Sequence, residues 1–493
     1  MHCLLILLAG PAFSQQYDNT WMFGYSDALP FRTTSMNFSG GAPDTSTHQE
    51  TLSMFVTNAS ISDSAGNLLF YTNGKRIYKK NYSSVPGSNG FNPGFTTDDY
   101  PSGLPHPQGV LILPVPGHHN LYGVFHESAD TFRRSGFLDE NPEWLGYTEI
   151  STNQSGNATV VSGTMNTHVL DDTLALGRIT ACRHANGRDW WIIVHKYWSN
   201  CWYKLLFTPA GGSLVDSQCL GRISQYNDAG GEAVFSPDGS KYAMVGSDNV
   251  VEIMDFDRCS GNLSNYHQDS ISMNTGGGFL RGCSISPNSR FLYVNEAHHI
   301  YQYDLNAANI LGSRLIVSTW DSTNTFQDWF FLNQLGPDGK IYIASWGGSW
   351  ILHRINFPDS LGLSCYVQQE VIHLDTTGVN NVSVPNFPNY RLGPLIGSAC
   401  DTLGLSIPKF TVNYDFRIFP NPASEYADVI YQLPENTDAV LEIRTTTGIL
   451  ISSEILPKWS TTHFIDVSQL AQGIYLVELK TQKGRDVRKL LKF

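Results

Sequence analysis

Three short clusters carry the residue types that acid–base or metal chemistry needs. His126 stands beside Glu127, His195 beside Lys196, and Glu296 just before the pair His298 and His299. A His/Glu set converging from separate strands could hold a metal ion or pass a proton. No spacing fixes their mutual geometry, so they read first as surface loops and strand-end histidines with ordinary partners. His126, His195, Glu296 and His298 therefore stand as channel or pocket candidates, with no catalytic residue, metal or cofactor assigned. Asp63-Ser64-Ala65-Gly66-Asn67 hints at calcium but lacks the alternating oxygen ligands of a calcium loop, and reads as a turn. The chain has no Gly-x-Ser-x-Gly elbow, no His-Glu-x-x-His and no phosphate-cradling Gly-Lys-Ser/Thr loop. Trp190, Trp191, Trp198, Trp202, Trp320, Trp329, Trp346 and Trp350 could stack on sugars or fill a core.

The elements that must position these residues repeat. Ser236-Pro237-Asp238-Gly239, Ser286-Pro287-Asn288-Ser289 and Gly336-Pro337-Asp338-Gly339 each close a turn and lead into an apolar strand. A second strand follows in every case, giving a hairpin. Looser copies precede them at Asp63–Asn67, Pro116–Asn120 and Asn186–Asp189, with an insertion around Asp130–Thr167. A repeat of about 50 residues with several short strands marks a propeller blade. The fold class is all-β: a β-propeller over 17–395 with six blades countable and seven expected, then a small C-terminal β-sandwich. The seventh blade is expected to join Trp21–Gly24 with Tyr366–Leu374 in one sheet.

After a connector at 396–415, a new pattern of seven short strands over 416–493 predicts the sandwich. Residues 1–14 read as a secretory signal with a short apolar core, though no Lys or Arg precedes it. No later stretch is long and apolar enough to be a transmembrane helix. In an exported chain the cysteines can oxidise. Nearest-neighbour loops suggest Cys201–Cys219, Cys259–Cys283 and Cys365–Cys400, leaving Cys182 as a buried thiol.

The net charge of −13 argues against a sequence-independent nucleic-acid binder and against docking on an anionic membrane. Residues 417–493 hold nine basic and nine acidic residues of the 31 and 44 in the chain. The whole acidic excess therefore lies outside them.

Phe419-Pro420-Asn421-Pro422-Ala423, the Thr447-Gly448 turn, Leu470-Ala471-Gln472-Gly473-Ile474-Tyr475 and the basic end Arg488–Phe493 occur in order. On these residues the terminal unit closely resembles the type A C-terminal sorting domain of the type IX secretion system of Bacteroidetes. The resemblance implies export across the outer membrane by way of the periplasm. It also implies recognition by the secretion machinery and its sortase, and cargo that is released or surface-attached. The sorting-motif residues would be Pro420, Asn421, Pro422, Gly448, Gly473 and Tyr475. The preceding region resembles uncharacterised propeller-like cargo of the same bacteria, through Trp21-Met22-Phe23-Gly24, Ser62–Gly74, His184–Trp191 and Pro385–Pro394. That likeness implies no reaction. Sialidase-type blades carry Ser-x-Asp-x-Gly-x-x-Trp turns, and here the Trp does not fall in place.

The expected function is a secreted or cell-surface binding module without catalysis, with a glycan or protein ligand. The alternative is an extracellular enzyme acting on a polysaccharide, as lyase or hydrolase, or on a lactone. A surface scaffold without a small ligand is the third reading.

Overall fold

A computed structural model describes residues 16–26, 31–130, 132–134, 137–139, 141–224, 230–271, 281–323, 328–345, 348–374, 379–401, 416–433, 438–446, 448–457, 461–481 and 484–493. The expected signal at 1–14, most of the connector and Trp346 lie outside the described residues. Two compact units divide the chain, Met1–Thr402 and Leu403–Phe493.

In the first unit seven antiparallel sheets of three or more strands follow one another in chain order, and Phe132–Arg134 pairs with Phe137–Asp139 in a separate two-stranded hairpin. Blade 1 holds Thr20–Phe23, Phe31–Asn37 and Asp44–Glu50, and blade 2 Ala59–Ser62, Leu68–Thr72 and Ile77–Lys79. Blade 3 runs through Val110–Pro114, Leu121–Glu127 and Trp144–Thr152, whose far edge pairs with both Ala158–Val160 and Thr167–Asp171. The expected insertion is thus partly the blade's own third strand. Blades 4 to 7 open with Thr180–Arg183, Glu232–Phe235, Cys283–Ile285 and Phe330–Leu335, and each has four strands. These first strands are short and almost wholly buried, because they line the axis and are covered on both faces. The blades crowd closely there. A Cβ on Gly177 would lie 2.1 Å from Pro107 O, and one on Gly282 2.2 Å from Phe331 O.

The repeat is local turn chemistry made visible. Gly239 N donates to Ser236 O at 2.8 Å, Ser289 N to Ser286 O at 2.8 Å and Gly339 N to Gly336 O at 3.0 Å. The last residue of each turn has positive φ, 75°, 62° and 75°, which glycine adopts freely and Ser289 does not. Asp238 and Asn288 fix the first two turns by accepting from Ser236 Oγ at 2.6 Å and Ser286 Oγ at 2.7 Å.

The seventh blade differs from the expectation. Thr20–Phe23 opens blade 1, whereas Val367–His373 is the outermost strand of blade 7, so the two do not share a sheet. Closure is made by the next stretch of chain. Tyr25 forms an isolated antiparallel bridge with Val379, and Ser349 of blade 7 another with Asn380. Trp21 of blade 1 meets Tyr342 of blade 7 edge-on at 5.5 Å. An outer strand cannot reach the first blade, but the chain leaving it can.

In the second unit Arg417–Phe419, Tyr426–Ile430 and Thr462–Asp466 form one sheet, and Ala439–Thr445, Leu450–Leu456, Gly473–Thr481 and Gly484–Lys492 the other. Alternate residues such as Ala427, Val429, Leu441, Ile443, Val477 and Leu479 face inward and form the core.

Candidate functional site

A segment without strand periodicity occupies the propeller axis. Asn386 Nδ2 donates to Val110 O and to Ile179 O, both at 2.9 Å, and Asn386 N donates to Asn58 O at 2.9 Å. Gln108 Nε2 bonds Ala233 O at 3.0 Å, and Gln108 Oε1 accepts from Ala233 N at 2.8 Å. Phe387 N donates to Gln334 Oε1 at 3.3 Å. Asn389 Nδ2 donates to Pro237 O at 2.7 Å and Tyr390 Oη to Ile112 O at 2.7 Å. Blades 2, 3, 4, 5 and 7 are all tied to this return segment. Its polar groups satisfy carbonyls that point into the channel and would otherwise be buried without partners.

Beside the segment lies an axial cavity of about 210 Å³. Pro237, Pro287 and Pro337, spaced by 50 in sequence, meet on its rim. Gln108, Thr180, Ser284, Asn333 and Gln334 supply polar groups, and among the described residues Asp18 and Arg391 are its only charged lining residues. Those two are paired with each other, at 2.6 Å. The Pro385–Pro394 phrase, with Asn386 and Arg391 in it, stands out in the sequence, but the partners of those two residues, Asp18 among them, and Gln108 do not. The density of Pro and Asn with no alternation was the signal for a segment that bonds outward instead of pairing in a ladder.

The channel candidates are each enclosed within local packing. His126 is fully buried against Phe91 at 4.5 Å and Trp144 at 5.5 Å, and burial pulls its imidazole down to about 3. His195 is buried and stacks on Trp202 at 4.2 Å. Glu296 is buried, accepts from the His299 ring and from His298 N, and feels Arg281. His298 lies between Trp320 at 5.5 Å and Trp329 at 5.1 Å. The described contacts do not bring the four together. Among the described residues no group of three His, Cys, Asp or Glu could hold a metal ion. Asp63 Oδ1 accepts from Ala65 N and Asn67 N, both at 2.9 Å, which is turn geometry. Trp190, Trp191 and Trp202 are core, Trp198 is exposed, and Trp320, Trp329 and Trp350 are half-buried.

Burial also raises two carboxyls above their usual range. Glu127 is pushed up to about 8 by desolvation, against the pull of Gly177 N–H at 2.8 Å and the Arg178 charge. Glu232 is pushed well above its usual range by the same cause, although Cys283 N and Asn333 N donate to it. Both are fully buried, so they serve packing between blades.

The cysteine pairing needs correction. Cys201 and Cys219 are joined across neighbouring strands of blade 4. Cys259 is joined to Cys400 and not to Cys283, and Cys283 and Cys365 are buried free thiols, as is Cys182. Cys283 sits on the first strand of blade 6, packed in the core between blades 5 and 6, while the Cys259–Cys400 disulfide ties the chain beyond the return segment to blade 5.

In the second unit the motif residues hold the sandwich shut. Asn421 Nδ2 donates to Lys489 O at 2.6 Å, and Asn421 Oδ1 accepts from Leu491 N at 2.9 Å, between Pro420 and Pro422. Gly448, at φ 88°, closes a turn by donating to Thr445 O at 3.0 Å. Gly473 opens the strand that carries Tyr475, whose buried ring sends its hydroxyl to Ala471 O at 2.8 Å. Residues 417–492 match the family model of the secretion system C-terminal sorting domain.

The terminal sandwich is a type IX secretion sorting domain. The chain is therefore exported cargo, destined for the cell surface or the medium, and its sorting domain interacts with the type IX machinery. No described helix is long and apolar enough to cross a membrane. No curated protein matches the chain. Among solved structures, PorZ, a surface component of the type IX system of Porphyromonas gingivalis, is similar at 12% identity and a TM-score of 0.34, over all of this chain and 61% of that one. A putative 6-phosphogluconolactonase of Bacteroides uniformis is similar at 11% and 0.38, over 92% of this chain and 100% of that one. The periplasmic gluconolactonase of Pseudomonas aeruginosa gives 13% and 0.36, over 91% and 98%. Likeness this slight carries no functional argument, and the propeller rests on its own seven sheets.

Proposed function

We propose that the exported propeller is a ligand-binding module, and that it takes its ligand on the face where the return segment seals the channel. The axial cavity carries this reading. Its wall offers amide and hydroxyl groups for hydrogen bonding, and its charged lining residues among those described, Asp18 and Arg391, pair with each other. Such a wall suits recognition of a small polar molecule through hydrogen bonds. The enzymatic alternative drew on His126, His195, Glu296 and His298, and their separate packing removes the motive for it.

Thermal-shift and glycan screens on the full purified chain test the reading. Ser284→Phe should fill the cavity and abolish whatever binding the parent shows. Turnover of a polysaccharide or lactone, lost on substituting residues of this cavity, would replace the binding reading with the enzymatic one.

A further inference from the structure

The flank of the propeller at blades 6 and 7 turns large apolar side chains toward water. In blade 7 the loop 356–366 joins Ile351–Ile355 to Val367–His373. Its Phe357, Leu361, Leu363 and Tyr366 are each more than half exposed, Leu363 at 79%. Leu315, on the outermost strand of blade 6, is exposed beside them. Phe357 and Tyr366 stack with ring centroids 6.3 Å apart. Leu361 and Leu363 flank Gly362, where a Cβ would lie 3.9 Å from Leu315 Cδ1. The five side chains therefore form one patch.

Polar bonds to blade 6 pin the loop from behind. Tyr293 Oη donates to Pro358 O at 2.8 Å, Gln302 Nε2 to Ser360 O at 2.8 Å and Gly362 N to Gln302 Oε1 at 2.7 Å. Cys365 is fully buried beneath it. The backbone is thus fixed before any partner arrives, which lowers the ordering cost of binding. Charge is also sparse here. Leu315–Thr319 holds no charged residue, whereas the outermost strands of blades 1, 4, 5 and 7 carry Asp44 and Glu50, Asp216, Asp269 and Glu370. Asp359, the one charged residue of the loop, accepts from Asn288 N at 2.9 Å, and Arg314 beside the strand pairs with Asp269 at 2.6 Å.

We infer that this patch is a self-association surface, occupied by the same patch of a second copy of the chain across a two-fold axis. Five large side chains exposed to this degree leave roughly 500 Å² uncovered, a size at which a monomer's largest patch is often functional. Two such patches face to face would bury about 1,000 Å² before their polar rims are added, which reaches the smallest specific interfaces. A charged partner is disfavoured, because its groups would lose water against side chains that cannot pair them. The chain's acidic excess lies outside 417–493, so two copies repel wherever their charged flanks meet. An uncharged patch meeting itself avoids that opposition. The inference is independent of the ligand-binding reading, which concerns the propeller axis.

Sedimentation velocity on the full purified chain tests it. The parent should pass from monomer to dimer between about 1 and 100 µM, as a small apolar interface implies. About 0.5 M salt should strengthen the dimer, because the acidic copies then repel less. Leu363→Glu should weaken association at least about tenfold, and Leu361→Glu should act alike. Ile223→Glu, at an exposed site between blades 4 and 5, should leave association unchanged. All three variants should keep the parental urea midpoint, since the substituted side chains are exposed. A parent still monomeric at about 100 µM overturns the inference. So does a dimer that withstands both loop variants, breaks in Ile223→Glu or dissociates in salt. A monomeric parent that floats with phosphatidylcholine vesicles, where Leu363→Glu does not, assigns the patch to a lipid surface and overturns the second copy.

Discussion

Arg391 and Asp18 form a two-pronged ion pair, with Nη1 to Oδ2 and Nη2 to Oδ1 both at 2.6 Å, across 373 positions of sequence. The pair fastens the return segment to the chain just ahead of the first blade. A propeller whose first and last blades share no sheet needs such a latch, because nothing in the strand ladders closes the ring. Asp18 is buried while Arg391 is about a third exposed. Asp18→Ala should therefore cost about 1–3 kcal/mol, the range for a lost charged hydrogen bond. Urea unfolding of the parent and variant measures it. No change in midpoint would mean that the ring closes without the latch.

Asn386 is the second fastening. Its carboxamide bonds the carbonyls of Val110 and Ile179. Asn386→Leu keeps the approximate volume but leaves both carbonyls buried without a donor, at about 1–3 kcal/mol each. The variant should unfold at distinctly lower urea. It should also lose ligand binding at the axial cavity, since Gln108, which lines the cavity, shares a bond with Asn386 Oδ1 at 3.4 Å. Near-parental stability would show that water replaces the amide.

These two fastenings mark the boundary of what was legible. The turns at Pro237, Pro287 and Pro337 could be read because Pro, Asp and Gly close a turn by local bonds, and a periodic turn implies a periodic strand. The sorting domain could be read because its motifs are contiguous. Asn386, Arg391 and the Cys259–Cys400 link act across 141 to 373 positions, and nothing near them in sequence specifies the partner. His126 and His195 showed their residue type but not the aromatic rings that enclose them.

The cysteines give a chemical test. Burial pushes Cys182 up to about 12 and Cys365 up to about 11, and pushes Cys283 well above its usual range. A thiol reacts as its thiolate. All three should resist alkylation at pH 8 in the folded protein and react fully once it is denatured, as peptide mapping would show. Cys259→Ser/Cys400→Ser should lower stability by about 4–5 kcal/mol if closing a loop of this length acts through the unfolded chain. Rapid labelling of Cys283 in the native state would contradict its burial between blades 5 and 6.

Glu127 predicts a pH dependence. Its folded value near 8 lies above the ordinary 4.5, so the folded state binds the proton more tightly. The stability it confers is complete below 4.5 and declines as pH rises to about 8. Buried His106, His126 and His353, held near 3, act oppositely and lose their contribution as pH falls below 6.5. The window from about 6.5 to 8 therefore isolates the carboxyls. Glu127→Gln keeps an oxygen acceptor for Gly177 N–H and removes the titration. Its stability should fall less steeply across that window, by up to about 1.4 kcal/mol per pH unit. Parallel curves would mean that Glu127 is ionised in the folded protein.

Export should depend on the fold of the sorting domain as well as on its presence. Asn421 ties the Pro420–Pro422 corner to the last strand, through Lys489 O and Leu491 N. The neighbouring bonds, Ala423 N to Leu491 O at 2.8 Å and Phe493 N to Ala423 O at 3.0 Å, hold only if that strand is in register. Asn421→Ala removes both side-chain bonds at an exposed site, at a cost of about 1–2 kcal/mol. Deletion of 417–493 should trap the protein in the periplasm. Asn421→Ala should give partial retention that worsens with temperature, because it frays the strand without removing it. Fractionation of cells followed by immunoblotting distinguishes the outcomes. Normal export of the deletion would separate this domain from secretion. Full export of Asn421→Ala at every temperature would show that the machinery reads the terminal strand without needing it docked on the sandwich.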